Sequence, residues 1–415
     1  MRNLLFLTHR LPFPPNKGDK VRSYHVLKEL AREFRVYLGT FLDDPQDDGY
    51  VDQLRPLCAD IFAVRLNPRA AKLRSVVGFL TGEPLTMPYY RNRHLARWVK
   101  HTLREKNIET AVIFSSPMAQ YVDGIPGLRV VVDFVDVDSA KWVEYGASHA
   151  WPMSWVYARE GKRLLACERS IAHRAARSFF VTPAETALFC QLAPECVSKV
   201  ESISNGVNAE YFSSDAHRPT PFVDGELPIV FTGAMDYWPN VDAVTWFAAE
   251  VLPALKFREP RIRFYIVGMR PGPAVQGLAN DSIVVTGTVP DVRPYLQYAS
   301  VVVAPLRVAR GIQNKVLEAM AMGAAVVTSR ACASAIEGLE DEVIGAERSD
   351  EFVDAVSSLL ADKRRAQTMG NRARRFVVDQ YGWDQRLLRL RDCLRDTRLD
   401  RTPTPLFADS GTTAS

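Results

Sequence analysis

Residues 310–323 read Arg310-Gly311-Ile312-Gln313-Asn314-Lys315-Val316-Leu317-Glu318-Ala319-Met320-Ala321-Met322-Gly323. Asn314 is a favoured N-cap type, Lys315 follows in the first helical turn, and Gly323 suits the position just past a helix end. Apolar runs at 301–305 and 325–328 flank the segment and read as strands. The spacing therefore predicts a strand, a glycine loop at Gly311, and a short helix whose N-terminus points away from a sheet. Free amide N–H groups and the helix dipole at such an end attract phosphate, and Lys315 adds a full positive charge. Glu318, about one turn further on, can accept hydrogen bonds from ribose hydroxyls. A glutamate there also complements the dipole with no ligand present, so the pattern alone leaves both readings open.

A second group of reactive side chains lies nearer the N-terminus. His9 follows the apolar run 4–7, and Pro12-Phe13-Pro14-Pro15-Asn16-Lys17-Gly18-Asp19-Lys20-Val21-Arg22 comes next. Gly18 permits close approach to the backbone, while Lys20 and Arg22 supply positive charge. Farther along, Asp133-Phe134-Val135-Asp136-Val137-Asp138 ends another apolar run. On a continued strand Asp136 and Asp138 would share one face. On a loop at the strand end they can orient an acceptor hydroxyl, and Asp136 is the candidate for that role, with His9 beside it. Aspartates also serve as caps and turn residues.

The elements that must hold these groups alternate along the chain. Strands are expected at 4–7, 36–41, 61–64, 111–114 and 130–134, with a helix over 23–33. A second series has strands at 229–232, 263–267, 283–285, 301–305 and 325–328, with a helix over 241–251 capped by Asn240. Such alternation implies parallel sheets covered on both faces, with ligands outside the carboxyl ends of the strands. At 415 residues the chain exceeds one core. The expected α/β architecture is two doubly wound, Rossmann-like domains facing a central cleft, 1–210 and 227–384, joined by a polar linker at 211–226. A last helix at about 385–398 is expected to pack back on the first domain, and the Thr/Pro/Ser/Gly-rich tail 401–415 to be disordered.

Composition excludes more than it selects. With 47% hydrophobic residues, 24% charged residues and a net charge of +4, the chain reads as an ordinary globular protein with no partner singled out. Its six cysteines form no CxxC pair and fit a reducing compartment. The first apolar run is too short for a signal peptide, and no stretch is long enough to span a bilayer, so a cytoplasmic location is expected. The segment 61–110 is basic, with Arg69, Lys72 and Arg74 among apolar Val76, Phe79 and Leu80 and, later, Tyr89, Tyr90, Leu95 and Trp98. That mixture suggests peripheral contact with anionic lipid at the inner membrane face. No nucleic-acid-binding motif is present. A dinucleotide site is disfavoured because no GxGxxG follows the first strand.

The segment 310–323 resembles the donor-binding motif of the retaining group-1 glycosyltransferases of GT-B fold. The resemblance extends to Asn205-Gly206-Val207-Asn208 with Tyr211-Phe212, to Thr182-Pro183-Ala184-Glu185, to Thr232-Gly233-Ala234-Met235-Asp236-Tyr237-Trp238-Pro239-Asn240, and to the loop at Gly18. The nearest subgroup by resemblance is the exosortase-associated (PEP-CTERM) sugar transferases. The resemblance implies transfer of a sugar from a nucleoside-diphosphate sugar to a hydroxyl acceptor, lipid-linked or glycan, in exopolysaccharide or other cell-surface glycan synthesis. It implies retention of configuration, no cofactor and no metal. It places the ribose on Glu318 and the diphosphate on Lys315, with Gly18, Arg22, Gly233, Arg310, Gly311 and Asn314 completing the donor site. Arg310 is a departure, because the family's sugar-contacting glutamate falls there. An epimerase of the same fold and a nucleotide-sugar-binding module without catalysis are the alternatives.

Overall fold

The computed structural model describes residues 1–15, 18–309 and 311–395. Asn16, Lys17, Arg310 and 396–415 lie outside them, and with them the expectations placed on Arg310 and on the tail. The described residues form two compact units, 1–202 with 387–395, and Ile203–Arg386.

The first unit is built on seven parallel strands: β1 (Arg2–Thr8), β2 (Phe34–Leu42), β3 (Asp60–Arg65), β4 (Thr110–Phe114), β5 (Arg129–Val135), β6 (Arg177–Phe180) and β7 (Val200–Ser202). Their order is β3-β2-β1-β4-β5-β6-β7. The order reverses between β1 and β4, and such a switch point is where a doubly wound sheet opens a crevice for ligand. Helices α1 (Gly18–Glu33), α2 (Pro68–Ser75), α3 (Val77–Thr81), α4 (Arg93–Glu105), α5 (Asp138–Ser148), α6 (Met153–Arg174) and α7 (Pro183–Leu192) belong to this unit.

The second unit holds six parallel strands: β8 (Leu227–Thr232), β9 (Ile262–Val267), β10 (Ile283–Gly287), β11 (Val301–Ala304), β12 (Val326–Ser329) and β13 (Ile344–Ala346). Their order is β10-β9-β8-β11-β12-β13, with the reversal between β8 and β11. Side chains alternate across this sheet as its pleat requires. Ile229, Phe231, Phe264, Ile266, Val301 and Val303 enter one buried cluster. Val230, Tyr265, Val267, Val302 and Ala304 enter another. Both faces are therefore covered, as parallel strands demand. On the second face lie α9 (Asn314–Ala321), through Val316, Leu317 and Met320, and α10 (Lys363–Gln380), through Ala373 and Val377. The helix α8 (Trp238–Trp246) follows β8.

Three differences from the sequence reading have physical causes. The first unit ends at Ser202 rather than 210, and the segment expected as a linker is part of the second unit's wall. Arg293 stacks 4.0 Å over Tyr211, the Arg374 guanidinium donates to the Phe212 carbonyl, and Phe222 packs on Tyr265. The strands β6, β7 and β13 were not anticipated, since three or four residues show no usable periodicity. Helix α8 starts at Trp238 with Tyr237 as its N-cap, so Asn240 lies inside the helix and is free for another task. At the C-terminus, α11 (Leu388–Arg395) belongs to the first unit: Arg391 reaches Glu29 at 2.5 Å, and Arg129 donates to the Cys393 carbonyl at 2.7 Å.

Candidate functional site

In the second unit the switch point is lined by the ends of β8 and β11 and by the start of α9. Helix α9 stops in a glycine turn: Gly323 has φ 73°, its amide donates to the Met320 carbonyl at 2.9 Å, and the Ala324 amide donates to Ala319 at 3.1 Å. A Cβ at Gly370 of α10 would stand 2.0 Å from the Gly323 carbonyl oxygen, so the two glycines let α10 brace the end of α9. The other end of α9 is left open. Gln313, not Asn314, is its N-cap, in extended conformation and without a side-chain cap bond. Asn314 is the first helical residue, and its Oδ1 accepts from Asn205 Nδ2 at 3.0 Å. Gly311 turns the preceding loop at φ 64°, a conformation that favours glycine.

Lys315 projects from the first turn. Its Nζ donates to Asn240 Oδ1 at 2.5 Å and lies 4.1 Å from the centroid of the Phe231 ring. No carboxylate among the described residues lies within ion-pairing distance of it. Burial pushes its pKa down from the ordinary lysine range to about 7. Glu318, one turn on, is pushed up to about 7 by burial, against the attraction of Lys315. Its carboxylate has no hydrogen-bond partner among the described residues. The space around the ammonium depends on Gly233, where a Cβ would meet Asn240 Nδ2 at 2.8 Å and Lys315 Nζ at 2.9 Å. Gly233 in turn needs Gly268, whose Cβ would fall 1.6 Å from the Gly233 carbonyl oxygen. The Thr232 hydroxyl is buried beside Gly233 without a partner among the described residues. Arg307, on the loop after β11, is committed to a two-point pair with Asp242.

Asn205, Thr232, Asn240 and Gly268 were given no part in the site by the sequence reading. Asn240 looked like a cap; only the fold brings it to a lysine 75 residues away.

The first unit treats its charges differently. Arg22 was expected to face a ligand. It is instead fully buried and forks onto Asp133, Nε to Oδ2 at 2.7 Å and Nη2 to Oδ1 at 3.1 Å. That is a correction: the guanidinium ties α1 to the end of β5. Lys20 is similarly held by Asp47 at 2.7 Å. His9 stacks on Phe114 and lies 3.5 Å from Asp19, which Arg10 also contacts at 2.8 Å. Burial opposes the charge on Asp19, yet His9 and Arg10 together hold its carboxyl well below the usual range. Gly18 begins α1, and a Cβ there would meet open space, so packing does not demand glycine.

Asp136 and Asp138 share Lys141, at 2.7 and 3.1 Å. Burial works against that ammonium, but the two carboxylates raise its pKa above the ordinary value. Asp136 remains partly exposed beside it. Behind them Glu168 binds the Ser139 hydroxyl at 2.5 Å and is pushed up to about 8 by burial and by Asp138. The backbone is strained here: Val135 has φ 71°, unusual for a β-branched residue, and Ser115 at the end of β4 has φ 74°. Among the described residues no group of His, Cys, Asp and Glu is arranged to hold a metal ion.

Comparison with known proteins adds to this geometry. Residues 226–362, within the second unit, match the family model described as "Glycosyl transferases group 1". Over 164 residues the chain is 31% identical to the GDP-mannose-dependent alpha-(1-6)-phosphatidylinositol monomannoside mannosyltransferase of Mycolicibacterium smegmatis, covering 35% of this chain. The match spans 43% of that relative's length, less than half. Among solved structures, sucrose-phosphate synthase from Thermosynechococcus elongatus superposes with a TM-score of 0.70 at 16% identity, over 95% of this chain and 98% of that one. Anabaena HepE in complex with UDP-glucose superposes at 0.65 with 14% identity, over 95% and 99%. WaaG, a glycosyltransferase involved in lipopolysaccharide biosynthesis, superposes at 0.62 with 16% identity, over 94% and 98%. The fold is GT-B, with two Rossmann-like domains.

Proposed function

We propose that the chain is a glycosyltransferase that moves a sugar from a nucleoside-diphosphate sugar to a hydroxyl acceptor. The observation that carries this reading is Lys315. The fold brings its ammonium to the amide end of α9, partly buries it, and sets it against an amide oxygen and an aromatic ring. A diphosphate supplies the missing negative charge. As the sugar–oxygen bond breaks, charge builds on the leaving phosphate, and Lys315 with the α9 amides stabilises it where it forms. Gly233 and Gly311 let the donor approach the backbone, Asn314 helps shape the helix start, and Glu318 accepts from the ribose hydroxyls. In the first unit, Asp136 beside Lys141 is the acceptor-side group, with His9 at the end of β1, which β4 separates from β5.

The family match over 226–362 contains every one of these second-unit residues, which supports the donor assignment. The GDP-mannose-dependent relative and the HepE complex with UDP-glucose support a nucleotide sugar as donor. Retention of configuration, a lipid-linked or glycan acceptor, a role in exopolysaccharide or other cell-surface glycan synthesis within the exosortase-associated subgroup, and peripheral membrane contact through 61–110 complete the reading. The test is release of nucleoside diphosphate from UDP-, GDP- and ADP-sugars with and without acceptor. Acceptor-dependent release with a glycoside product is expected. Isomerised donor without acceptor would show an epimerase instead, and binding without any turnover a non-catalytic module.

A further inference from the structure

Much of the basic segment 61–110 cannot form an apolar membrane surface. Leu95 is buried, Tyr90 packs on His9 and Phe41, and Trp98 stacks on Phe62. What stays outside is concentrated elsewhere. Of twenty exposed large apolar side chains among the described residues, ten fall within 73–80 and 143–155. Leu73, Val76, Val77 and Leu80 follow helical spacing along α2 and α3, and all four face solvent, Leu80 at 88% exposure. This inverts the usual amphipathic arrangement, in which such a stripe is buried. The turn between α5 and α6 adds Trp151, at 81% exposure, and the start of α6 adds Trp155.

The two segments make one surface. Phe79 of α3 stacks on Trp155 of α6 at 5.9 Å and 8°. The Arg159 guanidinium lies 4.8 Å over Phe79 and donates to the Gly78 carbonyl at 2.6 Å. The α5–α6 hairpin is itself tightly closed, since a Cβ at Gly161 would meet Val143 and the Ser139 carbonyl within 2.8 Å. The charge around the patch is mostly positive, although α5 also carries the exposed Glu144. Residues 68–81 contain Arg69, Lys72 and Arg74 and no acid, and the three are exposed. The hairpin contributes Lys162 and Arg163, also exposed, and its Glu160 is turned inward onto the Leu85 and Thr86 amides.

We infer that this patch docks the first unit on an anionic lipid surface, with Leu80 and Trp151 entering the interface and Arg69, Lys72 and Arg74 facing the headgroups. Aliphatic side chains flanked by tryptophan and a basic rim match the interfacial zone of a bilayer, where indole rings settle and each cation attracts anionic lipid. The inference deepens the membrane clause of the proposed function but does not depend on sugar transfer.

Co-sedimentation of the full chain with phosphatidylcholine vesicles, with and without phosphatidylglycerol, tests it. Binding is expected on the anionic vesicles, with a blue shift of tryptophan emission. Leu80→Ser with Trp151→Ser should weaken binding at least tenfold, and both sites are exposed enough to leave folding intact. Arg69→Ala with Lys72→Ala should weaken it on anionic vesicles by about fivefold per charge. Wild-type chain that stays in the supernatant, or a Leu80/Trp151 variant that binds like wild type, overturns the proposal. So does self-association that the same variant abolishes, which would make the patch a face between copies. A chain that docks yet transfers no sugar would sink the catalytic reading alone.

Discussion

The two units present the same topology and opposite electrostatics at their strand ends. In the first, ionic side chains are matched within the unit: Arg22 to Asp133, Lys141 to Asp136 and Asp138, Arg10 to Asp19. In the second, Lys315 has an amide oxygen and a ring, and Glu318 stands near it without a hydrogen bond among the described residues. A desolvated charge without a counter-ion costs stability, and a fold keeps it where a ligand completes the pair. The contrast separates charges that hold the fold from charges held ready for an anion.

That contrast can be broken at either end. Asp133→Ala should cost about 3–5 kcal/mol of stability, because the buried Arg22 loses its two-point carboxylate pair. Denaturant unfolding measures it, and a small effect would mean Arg22 finds another partner. Lys315→Met should do the reverse, leaving stability unchanged or higher while lowering sugar transfer by about 10²–10³-fold. Paired unfolding and turnover measurements read both.

Gly233→Ala sharpens the comparison further. The nearest atoms its Cβ would meet belong to the Asn240 and Lys315 side chains, not to backbone. The chain should fold while the ammonium is displaced, and diphosphate affinity should fall about tenfold. Gly268→Ala, which strikes backbone, should fail to fold, and expression with thermal melting distinguishes the pair. The smallest effect is expected at Glu168→Gln. The Glu168 carboxyl, raised from 4.5 to about 8, binds a proton in the folded state that the unfolded chain has lost, so its contribution to stability falls as pH rises between those values. Glutamine mimics the protonated form and should flatten that slope in a pH series of melts.

The core strands were legible in the sequence because four or more consecutive apolar residues, bounded by loops, leave little else for a half-buried chain to form. The phosphate-binding character of 310–323 was legible for a similar reason: the loop glycine, the lysine and the helix stop are local. What escaped was relational. Arg22 looks like a ligand contact until Asp133, 111 residues away, is seen to hold it. Asn240 looks like a helix cap until Lys315 arrives beside it. The edge strand β7 has only three residues, and within 61–110 the sequence does not separate apolar side chains that stay exposed, such as Leu80, from those the fold buries, such as Leu95. In each case the deciding fact is which neighbour the fold supplies.

The most direct test of the account is calorimetric titration of UDP and GDP into the chain at about pH 8, in buffers of different ionisation heat, alongside Lys315→Met. With its pKa held near 7, Lys315 is largely uncharged at that pH and regains its proton when a diphosphate arrives. The account predicts proton uptake on binding by the natural chain, and at least tenfold weaker binding without uptake by the variant. Equal affinity and equal proton exchange in the two proteins would contradict it.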